Sequence, residues 1–116
     1  MFKKSFSSLT NRRVQICNEI AEIESMRRGN LNEFYYEQTL KNGTVAKRGP
    51  FYNITVKGVN GKTISKSVSK KEVDRVRGEV DNYRKFRELS DEYVDVCEKI
   101  SILSESDEDE AKKNWT

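Results

Sequence analysis

Apolar residues recur at Val73, Val76, Val80, Tyr83, Phe86, Leu89, Tyr93, Val96, Ile100 and Leu103, always three or four positions apart. An α-helix puts such a series on one side of the chain, so the spacing predicts one long helix over 70–104. Ser69, with Glu72 three residues on, supplies a capping box at its start. The consecutive steps of three around Tyr83 swing the stripe about the cylinder, because each falls roughly 60° short of a full turn. Two partners are therefore expected. Val73 to Tyr83 suits a sheet, whereas Phe86, Leu89, Tyr93, Val96, Ile100 and Leu103 form a heptad seam, an interface that calls for another helix.

An N-terminal helix over 9–28 can cover that seam. Leu9, Ile16, Ile20, Ile23 and Met26 fall at helical spacing, Ser8 or Thr10 can cap the start, and Gly29-Asn30 supplies a left-handed stop. The alternative cover is the same helix of a second copy, making a homodimer.

Between the helices the period changes to two. Over 32–40, Phe34, Tyr36, Gln38 and Leu40 alternate with Tyr35, Glu37 and Thr39, the pattern of a strand. Residues 41–49 read as a loop with two glycines, leading to the only proline, Pro50. Strands over 51–57 and 62–68 read as a hairpin about Val59-Asn60-Gly61, in one of two registers. A three-residue loop with Gly61 left-handed pairs Val56 with Ile64 and Tyr52 with Val68, and is preferred because it makes a single apolar face. The other face then carries Asn53, Thr55, Lys57, Thr63, Ser65 and Ser67. The expected fold is α+β: N-terminal helix, three-stranded antiparallel sheet and long C-terminal helix in one domain over 9–104. A flexible 1–8 precedes it, and a disordered acidic tail over 105–116 follows, either simply solvated or a polyanion mimic folding back on the basic face.

Composition removes whole classes of chemistry. Histidine is absent, which eliminates hydrolases built on Ser/His or Cys/His pairs. Cys17 and Cys97 lack C-x-x-C spacing and are expected to be buried, reduced thiols, with a disulfide as the alternative. Asp74, Asp81, Glu88, Asp95 and Glu98 are interleaved with Arg75, Arg77, Arg84, Arg87 and Lys99, as ion pairs on a solvated helix face require, and there is no phosphate-loop glycine pattern. No catalytic residue, metal or cofactor is expected, so the chain reads as a non-enzyme. Apolar runs never approach the ~20 residues of a membrane span. The start Met1-Phe2-Lys3-Lys4 is followed by Ser5-Phe6-Ser7-Ser8 rather than an apolar stretch, so a cytoplasmic protein is expected and the sequons at Asn42, Asn53 and Asn114 carry no meaning.

Several short motifs resemble a small uncharacterised prokaryotic family. They are Gly29-Asn30-Leu31, Gly49-Pro50-Phe51-Tyr52, Gly61-Lys62-Thr63 and Asn82-Tyr83-Arg84-Lys85-Phe86-Arg87-Glu88-Leu89, within a likeness covering about residues 16–103. The resemblance implies an association with transposase genes and mobile elements, and carries no activity across. Many members also hold several Cys between the first strand and the Gly-Pro motif. Leu40 to Arg48 contain none here, which implies a metal-free version. A three-stranded sheet backed by a helix also looks like the DNA-reading domains of some integrases, a likeness of architecture alone.

Charge points to binding. Residues 31–72 carry eight basic and three acidic side chains, within a net charge of +3. Lys41, Lys47, Arg48, Lys57, Lys62, Lys66, Lys70 and Lys71 are candidate phosphate contacts, with Asn53 and Thr55 beside them on the polar sheet face. Tyr35, Tyr36, Phe51 and Tyr52 can stack on bases if exposed, although strand aromatics are more often core. The expected function is nucleic-acid binding, DNA foremost, by an accessory protein of a mobile element or phage. The competing reading is a protein-interaction module or inhibitor that docks through its helices on a larger nuclease, transposase or host protein.

Overall fold

A computed structural model describes the backbone of residues 2–115 and the side chains of residues 5–105. Helix α1 (Phe2–Ala21) leads to strands β1 (Asn30–Thr39), β2 (Val45–Lys57) and β3 (Thr63–Val68), and helix α2 (Val73–Trp115) closes the chain. The three strands form one antiparallel sheet in the order β1-β2-β3, so the expected α+β architecture is present. The chain divides into two compact units, residues 1–24 with 84–116, and residues 25–83.

The helical unit is built on the seam. Ile16 is buried with Leu89 and Val96, and Leu9, Ile20, Ile23, Tyr93 and Ile100 pack against them. The three buried side chains each contribute about 1.5–3 kcal/mol on leaving water, and the partly buried ones less. Helix α1 thus covers Leu89, Tyr93, Val96 and Ile100 of the seam within the chain. Arg12 fastens the pair from the side: its Nε and Nη2 donate to the two carboxylate oxygens of Glu92 at 2.5 and 2.6 Å. This bidentate bond holds the Glu92 carboxyl below its ordinary range, although burial opposes it, and raises the guanidinium's own pKa.

The other unit packs Ile54 of β2 on Val76 and Val80, with Leu31, Val56 and Val68 around them. The stripe on α2 therefore has the two partners that its change of direction predicts. The β2–β3 register pairs Val56 with Ile64 and Tyr52 with Val68. Gly58 N–H donates to Lys62 O at 2.7 Å and Gly61 adopts φ +76, so the connection is the three-residue loop with a left-handed glycine.

Several boundaries differ from expectation. Helix α1 starts at Phe2, not after a flexible 1–8, and Thr10 lies inside it, its hydroxyl donating to Phe6 O instead of capping. It ends at Ala21, not at residue 28, because Ser25 to Arg28 are bound to α2 in the other unit. Arg27 N–H donates to Glu79 O at 3.0 Å, and the Asn82 side-chain amide donates to Ser25 O at 2.9 Å. Glycine 29 is accordingly a close-approach residue rather than a helix stop: it has φ +128, and a Cβ there would lie 2.8 Å from Thr55 O. The first hydrogen bond of α2 runs from Val76 N to Glu72 O, so Glu72 and not Ser69 takes the cap position. The helix bounds extend to Trp115, past the expected end at 104. The side chains of residues 106–116, which bear most of the acidic tail and its suggested role, lie outside the described residues.

Candidate nucleic-acid interface

Strand β2 is six residues longer at its start than the expected 51–57, and the extra length contains a bulge. The pairs Phe34↔Phe51 and Tyr36↔Arg48 leave Tyr35 opposite both Gly49 and Pro50. Two residues against one shifts the alternation of β2 by one position. Glycine suits the shifted residue: Gly49 has φ +132, and a Cβ on it would meet Tyr35 Cδ1 at 2.8 Å and Phe34 O at 2.9 Å. Gly-Pro is the sequence signal for such a break in a strand, although the spacing of the chain reads it as the end of a loop.

Directly opposed residues of an antiparallel pair share a face. The face away from Val76 and Val80 therefore displays Asn30, Asn32, Phe34, Tyr36 and Gln38 from β1 and Arg48, Phe51, Asn53, Thr55 and Lys57 from β2. Thr63, Ser65 and Ser67 of β3 complete it. No strand carboxylate lies on this face, because Glu33 and Glu37 alternate to the other side.

Three aromatic rings stand at its centre. Tyr36 stacks on Phe51 with centroids 5.1 Å apart and planes 14° apart, and the Phe34 ring is tilted against Phe51 with centroids 5.8 Å apart. They are 52%, 39% and 42% exposed for Tyr36, Phe51 and Phe34 respectively, so these strand aromatics are surface and not core. Next to them runs a row of amides and hydroxyls. The Asn32 amide donates to Asn53 Oδ1 at 3.0 Å and to Thr55 Oγ1 at 3.2 Å, and the Asn53 amide donates to Ser65 Oγ at 3.2 Å. On the other flank Arg48 Nε donates to Gln38 Oε1 at 2.7 Å, which holds the guanidinium beside Tyr36.

The ladder between β2 and β3 stops at Tyr52↔Val68, so β1 and the first part of β2 continue as a two-stranded ribbon. Its far turn is closed by Leu40 N–H donating to Thr44 O at 2.7 Å, with Gly43 at φ +83. On the ribbon's other face the Lys47 ammonium lies 4.6 Å from the centroid of the Tyr35 ring. The Tyr35 hydroxyl donates to Glu33, which raises the phenol's pKa.

The basic candidates do not form one surface. Arg48 and Lys57 lie on the aromatic and polar face with Asn53 and Thr55. Lys47 and Lys66 alternate to the opposite side, the latter paired with Ile54. Lys41 occupies the turn between β1 and β2 and Lys62 the turn between β2 and β3, at opposite ends of β2, while Lys70 and Lys71 precede α2. Asn32, Phe34 and Gln38, absent from the sequence-derived site, join it through pairing with β2. Of the seam residues, Leu89 and Val96 are buried with Ile16, Tyr93 and Ile100 pack against them, and Phe86 and Leu103 are half-buried. The thiols are free, as expected, but less buried than expected, with Cys17 exposed and Cys97 half-buried. The Tyr93 phenol pKa is raised, most by Cys97 and then by Cys17. Among the described residues no helix is long and apolar enough to cross a membrane.

No protein-family profile matches the chain, and comparison with curated proteins and with solved structures likewise gives no match.

Proposed function

We propose that this chain is a small, non-enzymatic nucleic-acid-binding protein, an accessory factor of a mobile element or phage, and that it binds through the open face of its sheet. One observation carries the reading: exposed aromatic rings, a hydrogen-bonding row and two cations share a face to which the strands contribute no carboxylate. Rings can stack on bases, amides and hydroxyls can meet base edges or sugars, and Arg48 and Lys57 can reach phosphates. The mobile-element setting rests on the family resemblance of the Gly-Pro-Phe-Tyr and Asn-Tyr-Arg-Lys-Phe motifs. Docking on a larger protein through the helix seam is the weaker reading, since α1 already occupies that seam.

The test is fluorescence anisotropy of labelled duplex DNA, single-stranded DNA and RNA at about 50 and 200 mM salt. Binding of any of the three, weakened by salt and by Arg48→Glu, supports the proposal. Absence of binding to all three at micromolar protein would refute it and redirect the search to a protein target.

A further inference from the structure

We infer that the open sheet face takes single-stranded nucleic acid, with unpaired bases stacking on the exposed cluster of Phe34, Tyr36 and Phe51. This rests on the nucleic-acid reading above and narrows it. Two observations select a single strand over a duplex. The rings lie on the face of a sheet, where they meet the flat side of a base only if that base is out of a helical stack. The charge is also too sparse for a duplex. Only Arg48 and Lys57 of the basic residues in the strands belong to this face, Arg48 within the aromatic cluster and Lys57 at the far end of the polar row. Two phosphate contacts from the strands supply little of a duplex's affinity, whereas stacking can supply affinity for an unpaired strand.

The arrangement on the face gives each group a place. The stacked Tyr36/Phe51 pair and the tilted Phe34 ring form one partly exposed aromatic cluster, on whose outer ring faces a base can extend the stack. Asn32, Asn53, Thr55 and Ser65 run from it toward β3 and offer donors and acceptors to base edges or to a ribose hydroxyl. The bulge at Gly49 and Pro50 is what makes the site, because it turns Arg48 onto the ring side and Lys47 away from it.

The salt dependence follows from the number of cations. Two contacts on a single strand give a log–log slope of about −1.4, so affinity falls about sevenfold between roughly 50 and 200 mM salt. A duplex held by all eight basic residues of the sheet region would give about −7 and a loss of about 10⁴-fold.

The experiment titrates the full chain into labelled oligo(dT), oligo(U) and a duplex of random sequence across that salt range. It is repeated with Tyr36→Ala, Tyr36→Phe and, on the opposite face, Tyr35→Ala. The expected result is binding to at least one single-stranded probe with the shallow slope, the two probes separating DNA from RNA. Tyr36→Ala should weaken it about 5- to 150-fold, with Tyr36→Phe close to wild type and Tyr35→Ala unchanged. Duplex bound in preference to both single strands, with the steep slope, overturns this inference while leaving the nucleic-acid reading intact. Loss in Tyr35→Ala equal to that in Tyr36→Ala overturns the assignment of the face. Binding to none of the probes overturns both readings.

Discussion

Arg48 and Phe51 are three positions apart in β2 and yet lie on the same face of the sheet, the one opposite Tyr36 and the other opposite Phe34. In an uninterrupted strand an odd separation puts two side chains on opposite faces. The bulge at Gly49 and Pro50 removes that separation, and with it decides which of the neighbours Lys47 and Arg48 stands among the exposed rings.

Substitution at Gly49 therefore tests the bulge. Gly49→Ala places a Cβ against Phe34 O and Tyr35 at a backbone angle that side chains rarely adopt, and should lower stability by roughly 1–3 kcal/mol in urea unfolding. Gly78→Ala is the control in the opposite direction. Gly78 sits in α2 with nothing within 4 Å of a new Cβ, so the change should raise stability by about 0.4–1 kcal/mol. A Gly49→Ala midpoint equal to wild type would contradict the geometry of the bulge.

The helical unit makes a second contrast available. Ile16 is fully buried against Leu89 and Val96, and Ile16→Ala should cost about 2–5 kcal/mol. Ile102 is 60% exposed, and Ile102→Ala should stay within about 0.5 kcal/mol of wild type. Equal losses at the two positions, measured by thermal or urea unfolding, would mean that the seam is not covered by α1.

Acid should loosen the same unit through Glu92. Its folded pKa is depressed below the ordinary 4.5 by Arg12, so the pair's contribution is present above that value and is lost as pH falls through the lowered one. The difference in unfolding midpoint between wild type and Glu92→Gln should accordingly shrink from pH 7 to about pH 3. A difference that is constant with pH would show that the Arg12 bond contributes no stability, as many exposed pairs do.

Much of the fold is legible because it is written in local spacing. The three-or-four stripe from Val73 to Leu103 specifies α2 and, by its change of direction, two packing partners. Gly61 together with one apolar face specifies the pairing of Val56 with Ile64. The stops of the helices are less legible. Ile23 and Met26 continue the helical spacing of α1, but the backbone of Ser25 and Arg27 is satisfied by Asn82 and Glu79 of another element, and no window around residue 25 contains that information.

The candidate site divides in the same way. Sequence alone determines that the middle of the chain is basic, that its strands alternate, and that Asn53, Thr55 and Lys57 share a polar face with Ser65 and Ser67. Tertiary structure decides that Phe34, Tyr36 and Phe51 are exposed, that Arg48 joins them, and that Lys47 and Lys66 do not. The reason is that a strand's alternation assigns side chains to two faces without saying which face a helix will cover, or where a bulge will exchange them. Those choices belong to the pairing of β1 with β2 and to the short β3, which ends opposite Tyr52 and leaves the ribbon bare.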